Sequence, residues 1–393
     1  MLKRCGSLLL AVFIALGLTI LLSLFVFNPT TAQRDPHASA SQQQQYPPPF
    51  VDPSALRLVE SYPKELPVII LLHSTMPVST SKELQAENTR MRREMLVKKL
   101  RLDFHLSQQH LAASLDEARS HGTLLESRDL WIINGMALTV RPELFHQLQN
   151  NPMVKAIYLD NARAYIEPVS MGSQEISVTA LPTPGSLWGI DRIRVPQVWQ
   201  TFGISGTGAV VAIMDTGVDF LHPALAANYR GNMGKGLYTH HTSWFDAVNE
   251  GIYPYDDQGH GSHVAGTAIG AMGIGVAPDA KWIGVKVLNT DGYGYDSWIL
   301  NGFQWILAPD SNPALAPDIV NASWSSSNAS NTVFEQAIQT LTEAGILVVT
   351  ANGNGGPAEG TVGAPASYPG VFGVGASDED DEIAPFSARG PTP

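Results

Sequence analysis

The chain has 393 residues, 44% of them hydrophobic and 15% charged, a balance that excludes a disordered chain and leaves room for two or three packed domains. Its formal net charge is −12, and from Ser186 onward 7 Lys and Arg stand against 20 Asp and Glu, an acidity that argues against nucleic acid as a partner. The single cysteine, Cys5, excludes a disulfide framework and leaves the rest of the chain without a Cys nucleophile.

Lys3 and Arg4 precede an apolar run over residues 8–27 and then N-P-T-T-A, the layout of a secretory signal over residues 1–32. Secretion is the expectation; because a run of about 20 apolar residues can span a bilayer, an uncleaved membrane anchor is the alternative. Residues 33–65 hold runs of Gln and Pro that read as a low-complexity linker, with order resuming near Leu66. Residues 68–72 then read as strand, 81–119 as a long helix whose apolar stripe opens with Leu84, Met91, Met95 and Leu96, and 130–140 as strand. Residues 142–149 form a short helix with proline in its first turn, and 154–158 a further strand. The alternation fits a small α+β domain over residues 66–167, followed by a Ser, Thr, Pro and Gly-rich linker over 168–185. From residue 186 short apolar runs at 209–214, 282–287, 319–322, 346–350 and 371–374 alternate with helix-length segments, the pattern of a parallel sheet covered on both faces.

Two motifs in that second region carry chemistry. Residues 210–219 read V-V-A-I-M-D-T-G-V-D, which sets Asp215 at the end of an apolar strand; residues 259–267 read G-H-G-S-H-V-A-G-T, which sets His260 between glycines at a helix start. A serine hydrolase needs a His to take the hydroxyl proton, an Asp to fix the imidazole tautomer and stabilise the imidazolium, and donors for the oxyanion. Asp215 has a helix or turn cap as its alternative reading. His260 with His263 has a metal site, although their spacing and the missing glutamate depart from the H-E-x-x-H zinc helix.

Further segments follow in order: G-V-A-P at 275–278, V-K-V-L at 285–288, D-G-Y-G at 291–294, D-I-V-N-A-S at 318–323 and A-N-G-N at 351–354. With the Asp and His motifs they resemble the subtilisin-like serine proteases, the subtilases, from about Leu66 onward. The insertion over 228–257, with Y-R-G, W-F-D-A and P-Y-D-D, is similar to their bacillopeptidase F branch. The resemblance implies an α/β fold, a subtilisin-like doubly wound parallel sheet over residues 186–393, preceded by a ferredoxin-like inhibitory propeptide over 66–167. It implies a self-inhibited endopeptidase in which Asp215 orients His260, His260 acts as general base and then acid, and Asn354 donates to the oxyanion, with Asn352 its nearby competitor. Gly292, Tyr293 and Gly294 on one side, and Ser323, Trp324 and Ser325 on the other, would be two backbone walls that pair with an extended protein or peptide substrate. A monomer with its own propeptide as intramolecular inhibitor is the expected state.

Three departures from the family pattern stand out. Residues 222–225 read H-P-A-L where the calcium-binding pattern of many subtilases is H-P-D-L, so Ala224 removes a carboxylate from that site; calcium is the one cofactor left open, the acidic run at 378–382 reads as a solvated loop with a cation site as its alternative, and no metal ligand is assigned. Ser325 replaces the usual glycine of the substrate wall. Above all, no Ser downstream of His260 sits in a G-T-S-M-A-type helix start, and Ser323 and Ser387 lie in segments the family uses otherwise. The expectation is therefore a fragment of a secreted protease lacking its nucleophile. Its alternative is a non-catalytic product whose propeptide inhibits or chaperones a complete subtilase.

Overall fold

The computed structural model describes residues 46–61, 64–76, 88–166, 187–329 and 331–392. The expected signal and the expected processing linker at 168–185 lie outside these residues. Among the described residues no helix is long and apolar enough to cross a membrane.

Five strands, β1 (Phe50–Val51), β2 (Leu66–Leu72), β3 (Leu124–Leu130), β4 (Gly135–Val140) and β5 (Val154–Leu159), make the first sheet in the order β1-β5-β2-β4-β3. Only β1 runs parallel to its neighbour. The central strand β2, L-P-V-I-I-L-L, is apolar almost throughout because both of its faces are covered. Val68, Ile70 and Leu72 enter a core with the helices of this unit, while Ile69, pointing the other way, joins the core of the second sheet. Helices α1 (Pro53–Ser61), α2 (Thr89–Ser120) and α3 (Pro142–Gln149) complete the unit. Asn88 caps α2 by accepting from Met91 N at 3.0 Å.

Several expectations change here. Order begins before Leu66, since β1 and α1 fall inside the stretch read as linker, and the proline of α1 stands at a helix start where its missing N–H is harmless. The long helix is described from Thr89, and its buried stripe runs through Arg93, Leu96, Val97, Phe104, Leu111 and Leu115, leaving Met91 and Met95 exposed; Leu84 lies outside the described residues. The strand expected over 130–140 is two strands, broken at Trp131–Ile133 by a single 3₁₀ turn that Asn134 closes in the left-handed region.

The second sheet has six parallel strands in the order β10-β11-β7-β13-β14-β15. They are β7 (Val210–Asp215), β10 (Trp244–Asp246), β11 (Lys281–Lys286), β13 (Ile319–Ala322), β14 (Leu347–Ala351) and β15 (Phe372–Val374), each within a residue or so of the apolar run that marks it, apart from β10. Helices α4 (Trp188–Arg192), α5 (Val195–Phe202), α6 (His260–Ile269), α7 (Asp296–Leu307) and α8 (Glu335–Glu343) surround it, and β8 (Asn232–Gly234) with β9 (Leu237–Tyr238) forms a small hairpin. Alternation along β7 splits the core: Ala212 and Met214 pack with Phe303 and Ile338 on one face, Val211 and Ile213 with Ala265, Ile269 and Trp282 on the other. Growth of the sheet reverses about β7, which has β11 on one side and β13 on the other. A crevice at the carboxyl ends of the strands follows from that reversal. The two units are joined at this edge by an antiparallel pair, β6 (Ala162–Ala164) with β12 (Tyr293–Tyr295).

Candidate active site

Asp215 is the last residue of β7 and is fully buried, so its carboxylate depends on protein groups for hydrogen bonds. Oδ1 accepts from Thr216 N at 2.8 Å and from His260 Nδ1 at 2.7 Å. A carboxylate can only accept, so the Nδ1 proton is fixed and Nε2 is left as the basic nitrogen. Burial pulls the His260 pKa down, but the hydrogen bond to Asp215 and the charges of Asp215 and Asp256 outweigh it and raise the pKa above its ordinary value.

Close backbone approach makes this geometry. His260 is the first residue of α6, after Gly259 in the left-handed region. A Cβ on Gly261 would stand 2.0 Å from Gly217 O and 3.1 Å from Asp215 Cβ, so only glycine lets the helix start against the end of β7.

A second carboxylate, which motif reading left unassigned, ties the two elements together. Asp256 Oδ1 accepts from Thr216 Oγ1 at 2.9 Å and Gly259 N at 2.8 Å, and Oδ2 from Ser262 N at 2.8 Å and Ser262 Oγ at 2.7 Å. Thr216 Oγ1 in turn accepts from Gly261 N at 3.0 Å. Burial raises the Asp256 pKa, yet these donors prevail and hold it below the usual carboxylate value. Beneath them Lys286 is fully buried, its Nζ donating to Thr216 O, Leu288 O and Asp257 Oδ1. The signal for Asp256 was its place four residues before His260, just ahead of the tight turn that starts α6.

His260, Asn354, Ser323, Trp324 and Ser325 line one cleft of about 360 Å³. Asn352, the competitor for the oxyanion role, does not line that cleft: its N donates to Val374 O at 2.9 Å, and its Oδ1 lies against Gly373. Ser325 Oγ sits beside Gly353 and Gly363 at the cleft wall, close enough that a Cβ on Gly363 would stand 2.3 Å away. Of the hydroxyls considered as substitutes for a nucleophile, Ser323 Oγ accepts from Asn321 Nδ2 at 2.9 Å, and Ser387, buried, accepts from Ala376 N at 3.0 Å. Among the described residues none is hydrogen-bonded to His260 Nε2. His263 faces a different, apolar groove with His222 and Trp188, away from the cleft. Among the described residues no cluster of His, Cys, Asp and Glu suits a metal ion, and Ala224 is buried. The acidic run at 378–382 is exposed and partly self-satisfied, Asp378 Oδ1 accepting from Asp380 N and Glu382 N, while Asp381 pairs with Arg192 at 2.6 Å.

The chain's own first unit lies in the cleft. Ala162–Ala164 pairs with Tyr293–Tyr295, Tyr165 N donates to Gly292 O at 3.0 Å, and Ser325 N donates to Tyr165 O at 3.2 Å. Both expected walls are thus paired with one extended segment.

Comparison with known proteins agrees with this arrangement. Residues 206–393 match the subtilase family. The chain is 34% identical to Bacillopeptidase F of Bacillus subtilis (strain 168) over 335 residues, covering 80% of this chain and 23% of that protein. It is 35% identical to Alkaline elastase YaB of Bacillus sp. (strain YaB) over 276 residues, 67% of this chain and 64% of that one. Subtilisin E of Bacillus subtilis (strain 168) is 32% identical over 270 residues, 66% of this chain and 60% of its own length. The chain spans less than two thirds of each of these relatives. Strand order, the Asp215–His260 pair and these similarities agree, and the chain belongs to the subtilase family of subtilisin-like serine proteases.

Proposed function

We propose that this chain is the inhibitory propeptide and the Asp–His portion of a secreted serine endopeptidase, whose nucleophile is carried by sequence that these 393 residues do not contain. The observation that carries the reading is the pair of buried Asp215 with half-buried His260, 2.7 Å apart, opening on a cleft that the chain's own strand occupies as a substrate would. Asp215 keeps the proton on Nδ1, so Nε2 can take the proton of an incoming Ser hydroxyl as it attacks a peptide carbonyl, and later return it to the leaving amine. Asn354, on the loop after β14 and lining the same cleft as His260, donates to the oxyanion in this reading; losing one such donor reduces turnover by roughly 10²–10³-fold.

The first unit, residues 46–166, acts in this reading as a ferredoxin-like propeptide that holds the walls apart and is cut from the rest within residues 167–186. Export is directed by the apolar run at 8–27. Edge strand β15 leaves Phe372 61% and Val374 44% exposed, which supports further sequence packing along that edge.

The test is to read the coding sequence past the Pro393 codon and express its product. An open frame that reaches a G-T-S-M-A-type serine, with a product labelled by a fluorophosphonate probe and unlabelled as His260→Ala, is the expected result. No such serine in any frame, or labelling that survives His260→Ala, overturns the reading and leaves inhibition of another protease as the role of the first unit.

A further inference from the structure

Asp296 opens helix α7 of the second unit, and only 1% of it is exposed. Every hydrogen bond to its carboxylate among the described residues comes from one short stretch of the first unit. Arg163 Nε lies 3.2 and 3.3 Å from the two oxygens and Arg163 Nη2 3.1 Å from Oδ2, while Tyr165 OH donates to Oδ1 at 2.6 Å. A buried carboxylate is expensive to leave unpaired, and the second unit supplies no partner of its own. The fold has left this group for whatever lies in the cleft.

The occupant is held as a peptide would be. Alternation along the β6 segment puts Arg163 and Tyr165 on one side and Ala164 on the other. The Tyr165 ring stands edge-on to Trp324 at 5.1 Å and tilted against Phe334 at 6.3 Å, and the residue is 2% exposed. Its backbone is pinned by Gly292 and Ser325. Trp324 and Phe334 would accept any aromatic ring, but the carboxylate beyond them asks for a donor at the far end of that ring.

We propose that Asp296 is a specificity-determining residue, the floor of a subsite that selects peptides carrying Arg-x-Tyr on the N-terminal side of the bond to be cut, with tyrosine preferred over phenylalanine. This rests on the reading of the cleft as a peptide-binding cleft. A phenylalanine fills the same slot but withdraws the shortest hydrogen bond to a desolvated carboxylate, and sites built to bond a hydroxyl reject the analogue that lacks it. With Arg163 still in place, about a ten-fold or greater difference in affinity is expected.

The experiment uses the full chain, in which the Arg163–Tyr165 strand is itself the bound peptide, so the slot is tested on that strand. Exchange of the Tyr165 and Ser325 amides speeds about ten-fold or more in Tyr165→Phe and in Arg163→Ala, and less than about three-fold when the same change is made in an Asp296→Asn background. No acceleration in Tyr165→Phe, or equal acceleration with and without Asp296→Asn, overturns the proposal. The readout involves neither Asp215 nor His260. A chain that discriminates while its complete product hydrolyses nothing keeps the subsite and loses the protease, and the converse result does the opposite.

Discussion

At the scale of single residues, the state of His260 is set by burial and by two carboxylates, Asp215 and Asp256. Its pKa is raised, so the imidazolium persists to higher pH than in a free histidine, and the basic form appears only above that raised value. The pair therefore stabilises the fold fully below the ordinary histidine pKa of 6.5, and that contribution is lost as pH rises through the raised one. Replacing Asp215 by Asn removes a charge and allows the wrong tautomer. The expected result is a His260 pKa that falls, read by NMR titration of the imidazole, and in the complete enzyme a turnover reduced by about 10⁴-fold. A His260 titration unchanged in Asp215→Asn would remove the basis for pairing them. Asp215 and His260 were legible in the sequence because the chemistry demands those types at a strand end and a glycine-flanked helix start. Asp256 was not, because in P-Y-D-D it looks like loop charge, and its five donors are assembled only when the turn closes. Asp296 and Tyr165 were invisible for a different reason: they lie 131 positions apart and neither belongs to a motif.

Elements meet here through glycine. Helix α6 starts against the Gly217 carbonyl, with no room for a Cβ at position 261. Gly261→Ala must push α6 away from β7, lengthening the bond between His260 and Asp215 and destabilising the fold by roughly 3 kcal/mol, the upper end of the range for overpacking. Thermal unfolding measures the second effect and the His260 titration the first; a variant with wild-type melting and titration would show that the close approach is not required. Five strands of the parallel sheet were legible as continuous apolar runs, which burial on both faces explains for β7 and β11 but not for β15, an edge strand exposed at all three residues. Strand β3, L-L-E-S-R-D-L, was missed because it is a sheet edge whose middle is exposed, so neither alternation nor apolarity marks it. The stripe of α2 was misphased for a related reason. Arg93 is buried and the two methionines are not, since this part of the helix packs against backbone carbonyls of the second unit as well as against apolar side chains.

Across the whole molecule, the docking of the two units is sensitive to single groups. Arg93 reaches from α2 to Ala344 O at 3.1 Å, just past the end of α8, and to Ala316 O and Pro317 O at 2.9 Å, just before β13. Arg93→Met keeps most of the volume but strands three carbonyls, which costs roughly 2–4 kcal/mol and should appear as faster amide exchange at Ile346 and Leu347; unchanged exchange there would mean that the apolar contacts alone hold the units together. Asp160 acts in the opposite sense. It lies between β5 and β6, accepts from Ser297 N at 3.0 Å at the start of α7, and burial, with a smaller push from Asp296, overcomes the hydrogen bonds from Ser297 and the charge of Arg163 to raise its pKa from 3.8 to about 6. An acid whose pKa is raised binds its proton more tightly in the docked state, so docking strengthens as pH falls from about 6 toward 3.8 and carries its full electrostatic penalty above 6. The shift corresponds to about 3 kcal/mol across that window. Amide exchange at Ser297, corrected for its intrinsic pH dependence, should therefore be slower at pH 5 than at pH 7, and Asp160→Asn should abolish the difference. A pH dependence that persists in Asp160→Asn would assign it to Asp296 and Arg163 instead, which face the same junction.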